Sequence, residues 1–352
     1  MKNVTKGVSV GLLLSAGLLA NTAMAAMAAM AATGSEWCDS NKMVRFAEIG
    51  WDSGKFETEI IRQVMERGYG CKTETVPGTN PITMGALIGG KIQFFVEYWQ
   101  GRTDTMEQAA KDEKIKFVGS LVKGGGIEGI YVPEYVIKGD PAKGVAPMAP
   151  DLKSVADLSK YKALFKDPED PKMGRFLNCP SGWSCEKDNN QRIKAYGLRE
   201  TYNNFRPGTG AALDAAIAGA FQRKQPLLFS YFEPSSILGK HKSIRLEEPE
   251  WNEKCWKTIN GSMEDKPCGS ASPATNLTTA VAVDFAKANP GLIEFIGKVE
   301  LPITTVNEAI AEMADKKIPA EKMAEQFLRK NPSLWKTWVP EQVGSKIQAS
   351  LN

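Results

Sequence analysis

Residues 43–99 read MVRFAEIGWDSGKFETEIIRQVMERGYGCKTETVPGTNPITMGALIGGKIQFFVEYW, and this stretch decides the fold. Three segments rich in β-branched and aromatic residues, Met43–Ile49, Lys72–Val76 and Ile92–Trp99, are predicted to be strands. Two segments with helical periodicity separate them. Strands that alternate with helices form a parallel sheet with right-handed crossovers, so we expect an α/β unit here.

The two predicted helices have recognisable ends. The first begins at Asp52 or Ser53, which can cap it, and ends at Gly70. The second begins at Asn80, followed by proline at the first helical position, and ends at Gly89. The apolar face of the first helix consists of Phe56, Ile60, Ile61, Val64 and Met65. This face is expected to pack on the sheet.

A second α/β stretch follows residues 138–153, which are rich in glycine, proline and alanine. Strands are predicted at Arg175–Cys179 and Leu227–Phe232. Helices are predicted at Glu186–Tyr196 and Gly210–Gln222. The remainder of the chain is predicted to be mostly helical.

These elements predict an α/β fold with two lobes, each a mainly parallel sheet flanked by helices. Lobe I is expected to comprise residues 33–129 and 234–352, and lobe II residues 130–233. Two strands must then cross between the lobes, near residues 129–133 and 229–234. Two crossing strands form a hinge, and a hinged cleft closes on a ligand.

The first 32 residues have the features of a secretory signal peptide. Two lysines precede an apolar core, Val8–Ala20, and A-x-A cleavage sites follow at Ala23–Ala25 and Ala29–Ala31. The alternative, a membrane anchor, needs about 20 apolar residues, and this core is shorter. We therefore expect a soluble monomer, delivered to the periplasm by a cleaved signal peptide.

Composition and motifs argue against several functions. A formal charge of +3, without a basic run, does not favour a nucleic-acid partner. The chain has one histidine, His241, and no GxSxG or HExxH motif, which argues against a hydrolase or a zinc site. A phosphate-binding GxxxxGK[ST] loop is also missing. We expect no catalytic residue, metal or cofactor.

Six cysteines lie beyond the predicted signal peptide, and an even number in an oxidising compartment indicates disulfides. Fifteen pairings are possible. Cys38 and Cys71 precede the first and second strands, so neighbouring parallel strands would bring them together. The three sequence-local pairs that we favour are Cys38–Cys71, Cys179–Cys185 and Cys255–Cys268.

Aromatic residues recur where loops should line the cleft. Open α/β sheets bind ligands at the carboxyl ends of their strands. The aromatic residues near predicted strand ends or crossings are Trp51, Trp99, Tyr131, Trp183, Tyr231 and Phe232. The alternative for each ring is packing in the core. Tyr231 and Phe232 are adjacent, and the sequence leaves open which of them faces the cleft.

Aromatic rings suit a ligand whose charged head has no N–H donor. A quaternary ammonium is held by ring faces, each worth roughly 0.5–2 kcal/mol. Glu97 and Glu128 are candidate acidic partners near the same strand ends. Gly182 and Ser184 flank Trp183 before a helix, whose free backbone N–H groups could hold a carboxylate. A zwitterion would use both features.

An ordered set of short motifs resembles the OpuAC-type substrate-binding proteins of glycine betaine/proline betaine importers. The matching segments are Ile49-Gly50-Trp51-Asp52-Ser53, Val96-Glu97-Tyr98-Trp99, Gly129-Ile130-Tyr131-Val132-Pro133, Tyr231-Phe232-Glu233-Pro234 and Asn331-Pro332-Ser333-Leu334-Trp335. The resemblance implies a type II periplasmic binding fold with an aromatic box for glycine betaine or proline betaine. It also implies delivery of the ligand to a permease with a cytoplasmic ATPase.

Two departures leave the ligand open. Relatives often carry tryptophan where this chain has Tyr131 and Phe232. The cysteine-bracketed loop around Trp183 is similar to that of the trimethylamine N-oxide-binding branch. Trimethylamine N-oxide, choline and carnitine therefore remain alternatives on the same scaffold, and a periplasmic enzyme is the alternative class.

Overall fold

The computed structural model describes residues 35–352, together with Met1. The predicted signal peptide, residues 1–32, falls among the residues that are not described, so it stays a prediction. Within the described residues, no helix is both long enough and apolar enough to span a bilayer.

The strands of the described chain are β1 Met43–Ala47, β2 Lys72–Val76, β3 Phe94–Trp99, β4 Ile115–Val118, β5 Val122–Lys123, β6 Ile127–Pro133, β7 Gly174–Leu177, β8 Tyr202–Phe205, β9 Leu228–Glu233, β10 Ser243–Arg245, β11 Leu277–Ala282 and β12 Leu301–Pro302. The α-helices are α1 Glu36–Asp39, α2 Asp52–Tyr69, α3 Asn80–Ile88, α4 Asp104–Lys111, α5 Glu134–Lys138, α6 Ser184–Ala195, α7 Gly210–Gln222, α8 Ser236–Lys240, α9 Glu253–Lys257, α10 Val283–Ala288, α11 Pro290–Lys298, α12 Ile303–Lys316, α13 Ala320–Lys330, α14 Pro332–Trp335 and α15 Glu341–Leu351. Short 3-10 helices lie at Pro141–Lys143 and Val155–Tyr161.

The first sheet has the strand order β2-β1-β3-β11-β4. β1 pairs in parallel with both β2 and β3, as the opening pattern predicts. β11 runs antiparallel between β3 and β4, so four strands point one way and one is reversed. All six residues of β3 and of β11 are buried, because helices cover both faces of this sheet.

The amphipathic pattern of α2 explains its packing. Its apolar residues, including Phe56, Ile60 and Ile61, are completely buried. The helix ends at Gly70, whose φ of 72° closes the last turn in the left-handed conformation. Aromatic edge contact between Phe56 and Phe327 of α13 anchors α2 to the C-terminal helices.

The second sheet has the strand order β10-β6-β9-β7-β8. β7 pairs in parallel with β8 and β9, while β6 runs antiparallel to β9 and β10. This sheet is therefore also mainly parallel with one reversed strand. The predicted α/β class, with two sheets flanked by helices, is confirmed.

The predicted lobe boundary at residue 233 is wrong. β10, residues 243–245, pairs with β6 and so belongs to the second sheet. Residues 248–270 remain with this lobe, since the Tyr196 hydroxyl lies 2.8 Å from both Glu248 Oε1 and the Ser270 carbonyl oxygen. The sequence missed this because a three-residue edge strand has almost no periodic signal of its own.

The crossings between the lobes also differ from the prediction, because both β6 and β9 lie wholly in the second sheet. The two connecting segments instead meet at Gly126 and Thr275, which exchange backbone hydrogen bonds of 2.7 and 2.9 Å. A Cβ atom on Gly125 would lie 2.3 Å from the Thr275 carbonyl oxygen. Glycine is therefore required where these segments approach each other.

The three predicted disulfides, Cys38–Cys71, Cys179–Cys185 and Cys255–Cys268, are confirmed. The first pair closes a loop of 33 residues and joins the amino ends of β1 and β2. The second closes a loop of only 6 residues. Long loops lose more entropy when they are closed, so the first bridge should contribute more to stability.

We predict that the double variant Cys38→Ser/Cys71→Ser lowers the free energy of unfolding by about 2–4 kcal/mol, because the unfolded chain loses a long-loop constraint. Chemical denaturation measures this change. Ligand affinity should stay the same, since this bridge lies at the opposite end of the first sheet from the carboxyl ends of its strands. A loss of affinity in the folded variant would contradict this separation.

Candidate ligand-binding site

Four aromatic side chains meet where the carboxyl ends of the two sheets face each other. Trp51 follows β1 and Trp99 ends β3 in the first lobe, whereas Trp183 precedes α6 and Phe232 lies on β9 in the second. The ring centroids of Trp51 and Trp183 are 5.7 Å apart, those of Trp183 and Phe232 5.7 Å, and those of Trp99 and Phe232 5.6 Å. Each contact is edge-to-face, so the rings form walls rather than a stack. We call these four residues the aromatic box.

The aromatic box encloses a cavity of about 40 Å³ between the lobes. Its lining residues are Trp51, Asn80, Trp99, Glu128, Trp183, Ser184, Cys185 and Phe232. Asn80 begins α3, and Ser184 and Cys185 begin α6, so two helix N-termini reach this cavity. Backbone N–H groups at such positions favour negatively charged or strongly polar oxygen atoms.

Two glycines allow the backbone to approach the box. A Cβ atom on Gly126 would lie 2.4 Å from Cη2 of Trp99, and one on Gly210 would lie 3.0 Å from Cζ2 of Trp183. Gly126 also pairs with Thr275 where the lobes connect. The ring of Trp99 therefore rests directly on the segment about which the lobes would move.

The turn before α6 positions Trp183. Gly182 has a φ of 89°, a conformation that other residues rarely adopt. The Cys179–Cys185 bridge encloses the turn, and the backbone N–H of Glu186 bonds to the Trp183 carbonyl. Gly182 thus shapes the turn but does not line the cavity, whereas Ser184 does.

Glu128 faces the cavity and is held by a buried arginine. Arg102 Nη1 lies 2.9 Å from Glu128 Oε2 and 3.3 Å from Asp188 Oδ2. Arg102 also donates to Thr275 Oγ1 and Ser272 Oγ, and all three charged side chains are more than nine-tenths buried. One cation facing two carboxyl groups leaves room for a further positive charge beside Glu128.

Asp188 shares this arginine, and burial of its carboxyl group costs solvation free energy. Burial raises the pKa of Asp188 to about 7; Arg102 lowers this pKa and Glu128 raises it. The backbone N–H of Gly261 bonds to its other oxygen at 2.8 Å. The cluster links the first lobe, through Arg102, to α6 of the second lobe.

Glu97 does not line the cavity, although the sequence placed it among the ligand contacts. It is completely buried behind the box and accepts a hydrogen bond of 3.1 Å from Trp99 Nε1. Burial raises the pKa of Glu97 to about 7.

Tyr131 does not line the cavity of the aromatic box, and its predicted place in the box is wrong. It packs against Phe229, with ring centroids 5.8 Å apart. Side chains alternate along a strand, so Tyr131 points to the face of β6 opposite to Glu128 and lies three residues further along. The sequence pattern could not show which face of β6 carries Tyr131, because the position at which the chain passes between the lobes was predicted wrongly.

A second, larger cavity of about 120 Å³ lies on the other side of Trp51 and Trp183. Tyr231 lines this cavity and not the smaller one, and it stacks on Phe232 with ring centroids 4.9 Å apart. Phe232 lines both. The Tyr231 hydroxyl donates to Asp214, and burial raises the pKa of Asp214 to about 6.

Sequence reasoning missed several residues around the small cavity. Arg102 follows a strand end but carries no motif, and Asp188 lies within an unremarkable polar helix. From the sequence, Asn80 is recognisable only as the start of a helix. These residues converge from separate elements, so no local pattern could have grouped them.

The arrangement suits a small solute with a positive, apolar-coated head. Ring faces attract the charge, and the helix N-termini can receive an oxygen atom. Two α/β lobes that meet around such a cavity define the class of two-lobed periplasmic binding proteins. The chain belongs to the OpuAC family, the substrate-binding domain of ABC-type glycine betaine transport systems, whose model matches residues 42–330.

Known relatives cover most of the chain. A glycine betaine-binding periplasmic protein of Dickeya dadantii (strain 3937) is 24% identical over 264 residues, which span 72% of this chain and 74% of the relative. A glycine betaine/L-proline-binding protein from Borrelia burgdorferi shares the fold with a TM-score of 0.69 and 18% identity, over 87% of this chain and 100% of that structure. A choline-binding protein solved with choline gives a TM-score of 0.68 at 15% identity, over 89% and 99%.

We predict that Arg102→Met lowers the free energy of unfolding by about 3–5 kcal/mol near pH 8, because two buried carboxylates lose their cation. The native pKa of Asp188, about 7, exceeds the ordinary value, so its contribution to stability falls as pH rises from about 4 to about 7. The loss should therefore be smaller near pH 5, where Asp188 can take up a proton. Urea denaturation at both pH values measures the difference.

Arg102→Lys is the matched control, because it keeps the charge but not the forked geometry. It should lose less stability than Arg102→Met at the higher pH. Equal losses for Arg102→Met at both pH values would contradict the assignment of charge to this cluster.

Proposed function

We propose that this protein captures a methylated ammonium solute, glycine betaine or proline betaine, for an ABC importer. The observation that supports this proposal is the unbroken ring-to-ring contact of Trp51, Trp183, Phe232 and Trp99 around one cavity between the lobes. A trimethylammonium head has no hydrogen-bond donor, so ring faces and exclusion of water are the means of holding it. The glycine betaine systems of the family add independent support.

The energies are sufficient for transport. Four rings at roughly 0.5–2 kcal/mol each supply about 2–8 kcal/mol. Burial of the methyl groups adds to this, and an affinity near micromolar requires about 8 kcal/mol. The rings and the buried methyl groups can therefore supply a large part of this free energy.

The polar end of the ligand has its own partners. Ser184 and Cys185 at the start of α6, and Asn80 at the start of α3, line the cavity across from the rings. Their backbone N–H groups would hold a carboxylate or an N-oxide oxygen. Glu128, already paired with Arg102, would face the positive head.

Trimethylamine N-oxide is the second candidate ligand, and the size of the cavity favours it. One water requires roughly 10–15 Å³ of internal space. The cavity measures about 40 Å³, so a compact ligand of few heavy atoms fits the closed box most readily. Choline and carnitine are longer and would extend beyond it.

The alternative class is an enzyme, which would turn the same ligand over rather than release it unchanged.

The partners and location follow from the same proposal. The bound solute would be delivered to a transmembrane permease driven by a cytoplasmic ATPase. The protein would act in the periplasm as a monomer, after cleavage of its signal peptide. Its relatives from Dickeya dadantii and Escherichia coli are named as periplasmic proteins.

A thermal-shift screen tests the ligand class. Glycine betaine, proline betaine, choline, carnitine and trimethylamine N-oxide are compared with 3,3-dimethylbutanoate, in which carbon replaces the ammonium nitrogen of glycine betaine. A ligand at one hundred times its dissociation constant should stabilise the protein by about 2.7 kcal/mol. No shift with any ammonium compound, or an equal shift with the uncharged head, would contradict the proposal.

We predict that Trp51→Ala, Trp99→Ala and Trp183→Ala each weaken binding about tenfold or more, because each removes a ring face worth roughly 0.5–2 kcal/mol and opens the box to water. Calorimetry with the ligand identified in the screen measures the affinity. Trp251→Ala is the matched control, since this tryptophan is 53% exposed and lies outside the cavities. Wild-type affinity in all three box variants would show that the rings do not hold the ligand.

A further inference from the structure

Two buried carboxyl groups lie behind the aromatic box and make no contact with its cavity. Glu57 on α2 and Glu97 on β3 are both completely buried. Both oxygens of Glu57 and Oε2 of Glu97 have no hydrogen-bond partner among the described residues. Buried polar atoms without partners are rare and costly, so this pair requires an explanation.

The indole N–H groups of the box point toward one of these carboxyls. Trp99 Nε1 donates to Glu97 Oε1 at 3.1 Å. Trp51 Nε1 and Ser53 Oγ are buried without a partner in the described structure, and both lie close enough to Glu97 to lower its pKa. The polar edge of Trp99 is therefore held by Glu97, and Trp51 Nε1 lies near the same carboxyl group.

The backbone of β3 is distorted at the residue that carries this carboxyl. Glu97 has a φ of 54°, a left-handed conformation that is strained for a residue with a side chain. The pairing of β3 with β11 shifts there, because Thr278 pairs with Tyr98 and Ala280 with Phe95. Glu97 is thus the extra residue of a β-bulge, a feature that commonly redirects a side chain next to a binding site.

The two carboxyls differ in how firmly they hold a proton. Burial raises the pKa of Glu57 well above its ordinary value, and the nearby charge of Glu97 raises it further. Burial raises the pKa of Glu97 to about 7, while the donors of Ser53, Trp51 and Trp99 lower it. Glu57 therefore keeps its proton, and Glu97 is the group that carries charge near neutral pH.

Other charged groups around β3 are already engaged. Arg45 on β1 pairs with Glu74 at 2.6 Å and is partly exposed. Asp52 and Lys55 on the first turn of α2 pair with each other at 3.4 Å. β11 and α3, which also pack on β3, contain no charged residue. Arg102, beyond the end of β3, pairs with Glu128 and Asp188.

We propose that Glu97 is a positioning residue that fixes the indole of Trp99 and places one negative charge behind the rings of Trp99 and Trp51. The inference rests on the proposed function, because it explains how the box selects a positive head. An anion at the N–H edge of an indole increases the negative charge of the ring face, which strengthens its attraction for a cation. It does nothing for an uncharged head of the same shape.

The test compares charged and uncharged heads across pH. Calorimetry with glycine betaine and trimethylamine N-oxide, and with 3,3-dimethylbutanoate as the uncharged head, is performed near pH 6 and pH 8, on either side of the Glu97 pKa of about 7. Ionised Glu97 favours the cation, so wild-type affinity for the ammonium probes should rise with pH. Affinity for 3,3-dimethylbutanoate should not.

Glu97→Gln keeps the size and the hydrogen-bond acceptor but removes the charge. We expect about tenfold weaker binding of the ammonium probes near pH 8, the scale of one strong cation–π contact. The affinity should also change less between pH 6 and pH 8 than in the wild type, since only the contribution of groups such as Asp188, whose pKa is also about 7, remains. Glu57→Gln is neutral, as protonated Glu57 is, and it can still donate an N–H, so binding should keep the pH dependence of the wild type. Glu59→Gln, on the same helix but paired with Arg62, is the matched control and should behave as wild type.

A ligand-free readout separates this inference from the proposed function. In nitrogen-15 spectra of the wild type, the indole N–H resonance of Trp99 should titrate near the Glu97 pKa of about 7, and Glu97→Gln should abolish this titration. If no ammonium probe binds the wild type, the proposed function fails while the indole titration still tests the positioning role. An indole resonance that does not titrate, or a folded Glu97→Gln that keeps wild-type affinity and pH dependence, would overturn the inference.

Discussion

The box depends on exclusion of water from ring faces that come from both lobes. Attraction between a cation and an aromatic face is weak in water and grows when the site is desolvated. Here the edge-to-face contacts of Trp51 with Trp183 and of Trp99 with Phe232 join the lobes around the cavity. Neither lobe has the box alone. The same contacts that would hold the ligand therefore require the lobes to be together.

Charge around the box is arranged in layers. Glu128 faces the cavity but is paired with Arg102, which also contacts Asp188. Glu97 lies one layer further out, behind the rings. Full neutralisation would leave a cation without a partner, whereas several free carboxylates would be too costly to bury. The proposed charge on Glu97 would be a compromise between these costs.

The disulfides serve two purposes, stability of the fold and rigidity of the binding site. Cys38–Cys71 staples the amino ends of two strands, far along the sheet from the box. Cys179–Cys185 closes a short loop whose entropic contribution is smaller. Its effect is local, because it braces the turn that carries Trp183 and leads into α6. Stabilising the fold and preorganising the site are therefore separate tasks in this chain.

Local pattern determined much of this protein from its sequence. The bounds of β2 and α7 match the prediction, since their flanking glycines and periodicity are unambiguous. Strand ends placed Trp51 and Trp99 at the carboxyl edge of the first sheet and Trp183 at that of the second, because the carboxyl ends of parallel strands coincide. Only the tertiary structure decided how strands from distant parts of the chain join the sheets. β11 lies antiparallel within the first sheet, and β10 forms an edge of the second. The partners of Arg102, Glu57 and Tyr131 were likewise beyond the sequence, because packing between segments distant along the chain sets them, and such contacts leave no local periodic signal.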